Sequence, residues 1–593
     1  MLRVRSPRPL LRALFAILCL QMVGGRPTHA EIIHVPADYP TIQEAINEAA
    51  EEGDEIIVAE GEYNEAIDFL GKAIWLHSSD GPEVTIIDGA DLDTSVVSCM
   101  SGESAATTLE GFTITNGNAQ CGGGMHNFDS SPTVTNCIFD SNMAGSIELW
   151  FGGGGMYNDY SSPTLTNCTF TTNHAVNNGG GMCNYESAPT VTNCTFIGNV
   201  ADDGGGMYMI SEFGHHATIT DCTFIANSAD ADGGGVNSFF WSGTITSCTF
   251  IANSAQDVGG GMFSYAGTST VMNCTFDGNT ADRGGGMGNM YNHSDITGCL
   301  FTANSAAAFG GGMYNETADL ARRHGAFGAG SADDGRVFHN EQQLNPTVTN
   351  CVFDGNNALY GGGMCNYMCY GHGPTVVNCL FNGNFGLGAL CNYYCWDALP
   401  IINCTFTGNN TWAIANIDNS SPVIANCIMW GDAGGEILND PGEPIVTYCD
   451  VQGGYEGVGN IDADPLFVDP DNGDYRIGQG SLCIDAADNT AVPEDITTDL
   501  GGRPRFVDDP YTQDTGVGYP CVDMGAYEYQ GPGCPADFDG DGDVDTADLL
   551  FLLAAWGTPD GDVDGDGDTD TADLLALLAA WGECPDSTGG TQR

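Results

Sequence analysis

Lysine is almost missing from this chain: Lys72 is the only one in 593 residues. Lys and Arg together number 14 against 78 Asp and Glu, for a net charge of −64. Phosphate backbones are held by clustered Lys and Arg, so this balance excludes nucleic acid and an anionic membrane surface as partners. Long apolar runs are also scarce. None after the first 30 residues reaches the ~18 positions a spanning helix needs, so no transmembrane segment is expected in the mature chain. Helical periodicity is absent from the middle of the chain, where no stretch repeats apolar residues at i, i+3 and i+4 over ten or more positions. That excludes a helical solenoid. What the chain has in excess is glycine, 84 residues, and cysteine, 24.

The N-terminus reads as an export signal spanning 1–30. Arg3, Arg5, Arg8 and Arg12 form a basic start, Leu14 to Val23 an apolar stretch too short to span a bilayer, and Thr28-His29-Ala30 a small-residue cleavage site. The expected product begins near Glu31 and is secreted, extracellular or at the cell surface.

The organising feature is a repeat. Gly179-Gly180-Gly181-Met182-Cys183-Asn184 is followed by Thr190-Val191-Thr192-Asn193-Cys194-Thr195-Phe196 and then Asn199. The cysteine of this phrase recurs at Cys137, Cys168, Cys194, Cys222, Cys248, Cys274, Cys299, Cys351, Cys379 and Cys404, with a weaker copy at Cys427. A period near 25 residues means a stacked array. Each copy holds short β-branched and aromatic strings separated by glycine triplets and Asn-Ala or Asn-Ser steps, which read as turns. Such a unit is one coil of a parallel β-helix with two or three short strands, and eleven coils make a core of roughly 50 Å. Phe139 to Phe406 are expected to stack as one column, and Asn142 to Asn409, three residues further on, as an amide ladder. Asn167, Asn193, Asn273 and Asn403 match the N-x-Thr acceptor pattern, and placement in a buried ladder argues against glycan attachment there. The column cysteines are expected to be reduced, buried thiols. Cys365, Cys369, Cys391 and Cys395 lie off that column, on adjacent coils. In an exported chain disulfides are their expected state, with zinc the alternative.

GGGM followed by CxFxxN resembles the repeats of polymorphic outer-membrane proteins and, more broadly, right-handed β-helices of the pectate-lyase type. The resemblance implies an all-β solenoid over 31–530, with regular coils over about 111–430, a capping helix over about 40–50 and an insertion over about 317–345. Ile42, Ala45, Ile46 and Ala49 share one face of the capping helix, with Pro40 in its first turn. The insertion carries Arg322, Arg323, His324 and Arg336, and a smaller one near 145–151 carries Trp150 and Phe151. Residues 431–530, from Asp464-Pro465-Leu466 to Tyr527-Glu528-Tyr529, resemble the closing segment of such proteins. Cys483 and Cys521 are a candidate bridge in it. The aspartates of 462–474 read as a solvated acidic loop, with calcium binding the alternative.

Fold does not carry function, so a catalytic role needs a visible site. Lyases of this type use a Lys or Arg beside carboxylate-held calcium, and Arg283 is the only basic side chain of the regular coils outside the insertion. Asp202-Asp203 and Gly371-His372-Gly373 echo galacturonan hydrolases but lie about six coils apart. No catalytic residue is assigned.

The C-terminus, 531–586, carries the sharpest motif. Asp537-Phe538-Asp539-Gly540-Asp541-Gly542-Asp543-Val544-Asp545-Thr546-Ala547-Asp548 is a twelve-residue calcium loop, repeated from Asp562 to Asp573. EF-hand spacing draws oxygens from positions 1, 3, 5, 7, 9 and 12, with Gly at 6. Each loop precedes an apolar helix. The duplicated loop-and-helix, with Asp at position 12, resembles a type I dockerin. The resemblance assigns Asp537, Asp539, Asp541, Asp543, Asp545 and Asp548 to one Ca²⁺, and Asp562, Asp564, Asp566, Asp568, Asp570 and Asp573 to a second. It implies a cohesin-like or other docking protein as partner, read through Thr546-Ala547 and Thr571-Ala572. Cys534 and Cys584 bracket the module as a candidate clasp, and 587–593 is expected to be a disordered tail. The combined expectation is a non-catalytic binding or structural protein, with polysaccharide as a second partner. The alternative is a polysaccharide lyase or glycoside hydrolase carried to a complex by its docking module.

Overall fold

The computed structural model describes residues 30–50, 52–145, 151–211, 214–317, 346–369, 373–396, 399–509, 512–531, 536, 538, 543–558, 563 and 569–583. Among these, four parallel sheets of 16, 15, 10 and 14 strands wind into one β-helix. A representative coil contains Thr190–Thr192, Thr195–Ile197, Val200–Ala201 and Met207–Ile210. Each strand pairs in register with its counterpart one coil on, for example Phe196 with Phe224 and Met207 with Val236. The steps expected to be turns therefore hold two further strands, and coils continue on both sides of the regular repeat. Sixteen strands at ~4.8 Å give a core of roughly 70 Å, longer than the repeat alone implied.

Alternation within each short strand sets the interior. In Thr-Val-Thr only the central residue points inward, so Val191 is fully buried while Thr190 is exposed. Phe139 to Phe406 form the expected column; Phe170–Phe196 and Phe250–Phe276 centroids lie 4.8 and 4.6 Å apart with planes within 4° and 3°. The column cysteines are buried free thiols. Cys222 Sγ, for instance, donates to the carbonyls of Thr220 and Val191 at 3.2 and 3.6 Å. Glycine is required in the triplets: a Cβ on Gly181 would lie 2.5 Å from the Gly206 carbonyl oxygen and 2.9 Å from the Phe196 ring.

The amide ladder satisfies both ends of every member. Asn227 Oδ1 accepts from Asn199 N and Nδ2, and its Nδ2 donates to Phe196 O and Asn253 Oδ1, all at 2.9–3.0 Å. The ladder ends where Asn409 N and Nδ2 donate to Asp432 Oδ1. A second buried ladder, unforeseen, follows the glycine triplets: Asn289, Asn315, Asn366, Asn392, Asn416 and Asn439 bond in series. The acceptor-pattern asparagines belong to neither. Asn167, Asn193 and Asn273 are exposed at a left-handed corner, where Asn193 Nδ2 donates to Asn167 Oδ1 at 2.7 Å. The burial argument against them is thus corrected for these three and holds for Asn403.

The capping helix α1 (Ile42–Glu48) buries Ile42, Ala45 and Ile46 over the open end of the core. Its N-cap is Thr41, which places Pro40 before the helix and not in its first turn. The single lysine caps its other end: Lys72 Nζ donates to the carbonyls of Ile46, Asn47 and Ala49 at 2.8, 2.9 and 2.6 Å.

After Val451 the closing segment folds back along the coils. Ala526 N donates to Thr405 Oγ1 and Asn378 Nδ2 to Thr498 O. Its centre is fully buried Arg505, bonded to the carbonyls of Asp523 and Gly525 and 3.7 Å from Glu528. The bridge expected between Cys483 and Cys521 is not formed; both are free. Cys483 Sγ turns to Asp450 Oδ2 at 3.2 Å and Cys521 Sγ to the Ala487 carbonyl at 3.3 Å. Disulfides are likewise absent at Cys365, Cys369, Cys391 and Cys395, although Cys365 and Cys391 are in register on adjacent coils. Cys369 and Cys395 point their thiols at main-chain carbonyls.

Two helices follow, α2 (Thr546–Ala554) and α3 (Thr571–Ala579), each opened by an Asp capping box. Leu552 and Leu577 are buried with Ala536 and Val544 in a small core. No helix among the described residues is long and apolar enough to cross a membrane.

Candidate functional site

The repeat has one position that varies in chemistry while its place is fixed. It lies immediately before each glycine triplet and is occupied by Asn178, Asp203, Asp232, Val258, Arg283, Phe309 and Tyr360 in successive coils. Main-chain bonds stack these residues, from Gly204 N to Asp232 O through Gly259 N to Arg283 O. On the following strand the residue after Met faces outward and is buried beneath this column, as with Tyr208, Phe263 and Tyr314. The residue two further on shares that outward face and is often aromatic: Tyr185, Phe239, Tyr265, Tyr367 and Tyr393, all half-buried. The result is an outward-facing strip along the rod, termed the groove, with carboxylates near its middle and aromatic rings beside them.

Its polar part is organised coil to coil. Asp203 Oδ1 accepts from Asp232 N and Asn237 Nδ2 at 3.1 and 3.2 Å. Asp232 Oδ1 accepts from Val258 N at 2.9 Å. Burial pushes the Asp203 carboxyl up to about 6 and, with Asp203 and Asp257 beside it, that of Asp232 up to about 7. Arg283 closes the series. Its Nε donates to Asp257 Oδ1 at 3.0 Å, its Nη1 lies 3.9 Å from Glu316 Oε2, and its guanidinium sits 5.6 Å from the Tyr314 ring centre. Glu316 also accepts from Tyr291 and Tyr314 hydroxyls at 3.2 and 2.8 Å.

The aromatic part falls into separate stretches, with Ile210, Met290 and Glu316 at the same position in the coils between them. Phe239 stacks on Tyr265 at 4.7 Å, Tyr265 meets Tyr291 edge-on at 5.5 Å, and Tyr367 lies 5.7 Å from Tyr393. Phe151 packs against Tyr157 at 5.9 Å, so this aromatic of the small insertion is part of the same wall.

Of the residues singled out by sequence, the structure places Asp203 and Arg283 in one groove, with Asp232 and Asp257 between them, which sequence reading missed. Arg322, Arg323, His324, Arg336, Trp150, Gly371 and His372 lie outside the described residues. The aspartates of 462–474 do not converge. Asp462 accepts from Gly453 N, Asp464 from Leu466 N and Asp469 from Asn472, and Asp474 pairs with Arg476 at 2.6 Å.

In the C-terminal module Asp537, Asp539, Asp541, Asp562, Asp564, Asp566 and Asp568, the Asp543 side chain, Cys534 and Cys584 lie outside the described residues. The described carboxylates hold the main chain around the start of each helix. Position-12 residues Asp548 and Asp573 are fully buried and turn back into their loops, Asp548 accepting from Phe538 N and Asp545 N. Asp573 accepts from Val563 N and Asp570 N in the same way. Asp545 and Asp570 cap the helices.

The family described as "Right handed beta helix region" matches residues 73–281. The match falls within the stretch Ile32–Val451 that winds as a parallel β-helix. Among solved structures, the bacteriophage phi29 gene product 12 N-terminal fragment is 12% identical over 68% of this chain and 69% of its own, with a TM-score of 0.34. Pectate lyase Pel9A is 12% identical over 84% and 97%, at 0.23. The catalytic unit of a GH87 α-1,3-glucanase from Streptomyces thermodiastaticus is 13% identical over 74% and 69%, at 0.28. No curated protein matches the chain.

Proposed function

We propose that this is an exported solenoid that binds an uncharged polysaccharide along its groove and is docked through a calcium-folded C-terminal module. The observation that carries the glycan reading is the groove itself. It carries half-buried rings at Tyr185, Phe239, Tyr265, Tyr367 and Tyr393 beside carboxylate and guanidinium groups, apolar faces for sugar rings next to acceptors and donors for hydroxyls. A net charge of −64 sets the ligand class as neutral, because a polyanion would be repelled.

The docking reading is supported by two matching apolar faces. Leu550, Leu553 and Trp556 of the first half and Leu575, Leu578 and Trp581 of the second are all exposed, at 63, 49 and 45% and at 63, 48 and 46%. Exposed apolar patches of this kind mark protein contacts. A cohesin-like protein is the partner this surface and its loops would serve. Bound Ca²⁺ would be held by the two aspartate sets and would neutralise their mutual repulsion, ordering the loops ahead of α2 and α3.

A second reading, glycoside hydrolysis, is favoured by one observation: Asp203 and Asp232 lie on adjacent coils and their carboxyls are pushed up unequally, to about 6 and about 7. Against it, one oxygen of each is tied to a main-chain N–H. Affinity electrophoresis of the full chain in gels cast with neutral glucans, mannans and xylans, and with polygalacturonate, tests the binding reading. Retardation by a neutral glycan without release of reducing ends is expected. Retardation by polygalacturonate alone would overturn it, and reducing ends that vanish in Asp232→Asn would transfer the assignment to the hydrolase.

A further inference from the structure

The closing segment gathers carboxylates that neither the groove nor the C-terminal module uses. Asp485 sits at a left-handed corner, with φ +52°. Its carbonyl accepts from Thr515 N and Gly516 N at 2.9 and 3.1 Å, which lays those residues across it. One carboxyl oxygen each from Asp485, Asp508 and Asp514 lies within 4.8 Å of the others. Among the described residues no other grouping of His, Cys, Asp and Glu is drawn together so closely.

Three neighbouring carboxylates alone would be an ordinary acidic surface. Asp485 makes this trio different. Its side chain is fully buried, its Oδ2 accepts from Asp509 N at 3.1 Å, and its Oδ1 has no hydrogen-bond partner. A buried carboxylate oxygen without a donor is costly unless a cation faces it. The nearby buried cation is committed elsewhere: Arg505 serves the carbonyls of Asp523 and Gly525 and pairs with Glu528. Asp508 and Asp514, half-buried and exposed, leave the trio open on its outer side.

We propose that Asp485, Asp508 and Asp514 form a divalent-cation site that fastens the closing segment, independent of the C-terminal loops. The donors are all oxygen, which selects a hard cation. The mixed setting of one fixed and two surface carboxylates suits Ca²⁺, which accepts irregular geometry, better than Mg²⁺. Water would complete the shell on the outer side. Tyr519 stands beside the site, its hydroxyl donating to Asp508 Oδ2 at 3.3 Å, and gives it an optical probe.

The test compares full-length wild type, Asp508→Asn/Asp514→Asn and Tyr519→Phe. Equilibrium dialysis with radioactive Ca²⁺ is expected to find one equivalent fewer per chain in the double variant, whatever the C-terminal loops bind. Terbium loaded in place of calcium and excited through tyrosine is expected to lose emission in Tyr519→Phe, with the number of bound ions unchanged. Both substituted carboxylates lie towards solvent, and circular dichroism verifies that the double variant is folded. Equal calcium stoichiometry in wild type and the double variant would overturn the site, as would terbium emission that Tyr519→Phe leaves unaltered.

Discussion

The regular coils and the closing segment bury polar groups by opposite means. In the coils, Asn199, Asn227, Asn253 and their counterparts pass neutral hydrogen bonds from one turn to the next, and each amide is satisfied on both sides. In the closing segment, Arg505 is buried among Asp523 and Glu528, and burial pushes both carboxyls upward, that of Glu528 helped by Asp523. A neutral ladder can be extended coil by coil, because every addition repeats a satisfied contact. A buried charge network has a definite composition and terminates the rod. The ladder itself ends on a charge at Asp432, where a carboxylate replaces the next asparagine and Glu436, also pushed up by burial and by Asp432, stands beside it.

The largest expected effect tests the ladder. Asn279→Leu removes the side-chain donor to Phe250 O and the acceptor of both Asn253 N and Asn253 Nδ2 at once, while Asn304 Oδ1 keeps the Asn279 main-chain N–H. Orphaned buried groups cost about 1–3 kcal/mol each, so a loss of at least about 4 kcal/mol is expected in urea unfolding, equal at pH 5 and pH 8. Next comes Arg505→Met, which leaves buried carboxylates uncompensated. A loss of about 3–5 kcal/mol is expected at pH 8 and a smaller one at pH 5, where the carboxyls hold their protons. If the two variants showed the same pH dependence, the contrast between neutral and charged interiors would fail.

A smaller effect lies in the groove. The folded state holds the Asp232 proton up to about pH 7, against an ordinary value of 3.8, so it binds more protons than the unfolded chain between those limits. That contribution to stability is full below about 3.8 and is lost as pH rises through about 7. Asp232→Asn keeps the acceptor for Val258 N and removes the titration. After screening by solvent, it is expected to stabilise the protein by about 1–2 kcal/mol at pH 8 and to leave it unchanged at pH 4, in melting curves across that range. The smallest effect concerns the thiol column. Cys248→Ala is expected to cost only about 1 kcal/mol, and a reductant is expected to leave the melting temperature unmoved, since the column holds no bridge to cut.

Much of the coil interior was legible because the repeat states it many times. Phe196, Cys194 and Asn199 recur at fixed offsets, and stacking in register follows from the period. The two extra strands were hidden because Val200–Ala201 is too short to show alternation, and because the glycine triplets before strands such as Met207–Ile210 read as turns. The groove was legible only in part. Arg283 stood out as a lone cation, but Asp232 and Asp257 looked like surface acid in a chain full of it. The signal that could have found them is the position before each glycine triplet, which changes chemistry while its neighbours stay constant. The trio of Asp485, Asp508 and Asp514 had no such signal, since it is assembled by the fold-back of the closing segment and not by a period. The proposed bridge between Cys483 and Cys521 failed for the same reason: sequence proximity within a segment says nothing of where two thiols point.

The central claim is that recognition lies in the aromatic groove. Calorimetric titration of the full chain with the neutral oligosaccharide that retards it, beside the Tyr367→Ala/Tyr393→Ala variant, tests this most directly. The expected result is saturable binding by wild type and a loss of at least about tenfold in the variant, roughly 1.4 kcal/mol or more, with circular dichroism verifying that the variant is folded. Equal affinity of the two proteins would contradict it and move recognition off the groove.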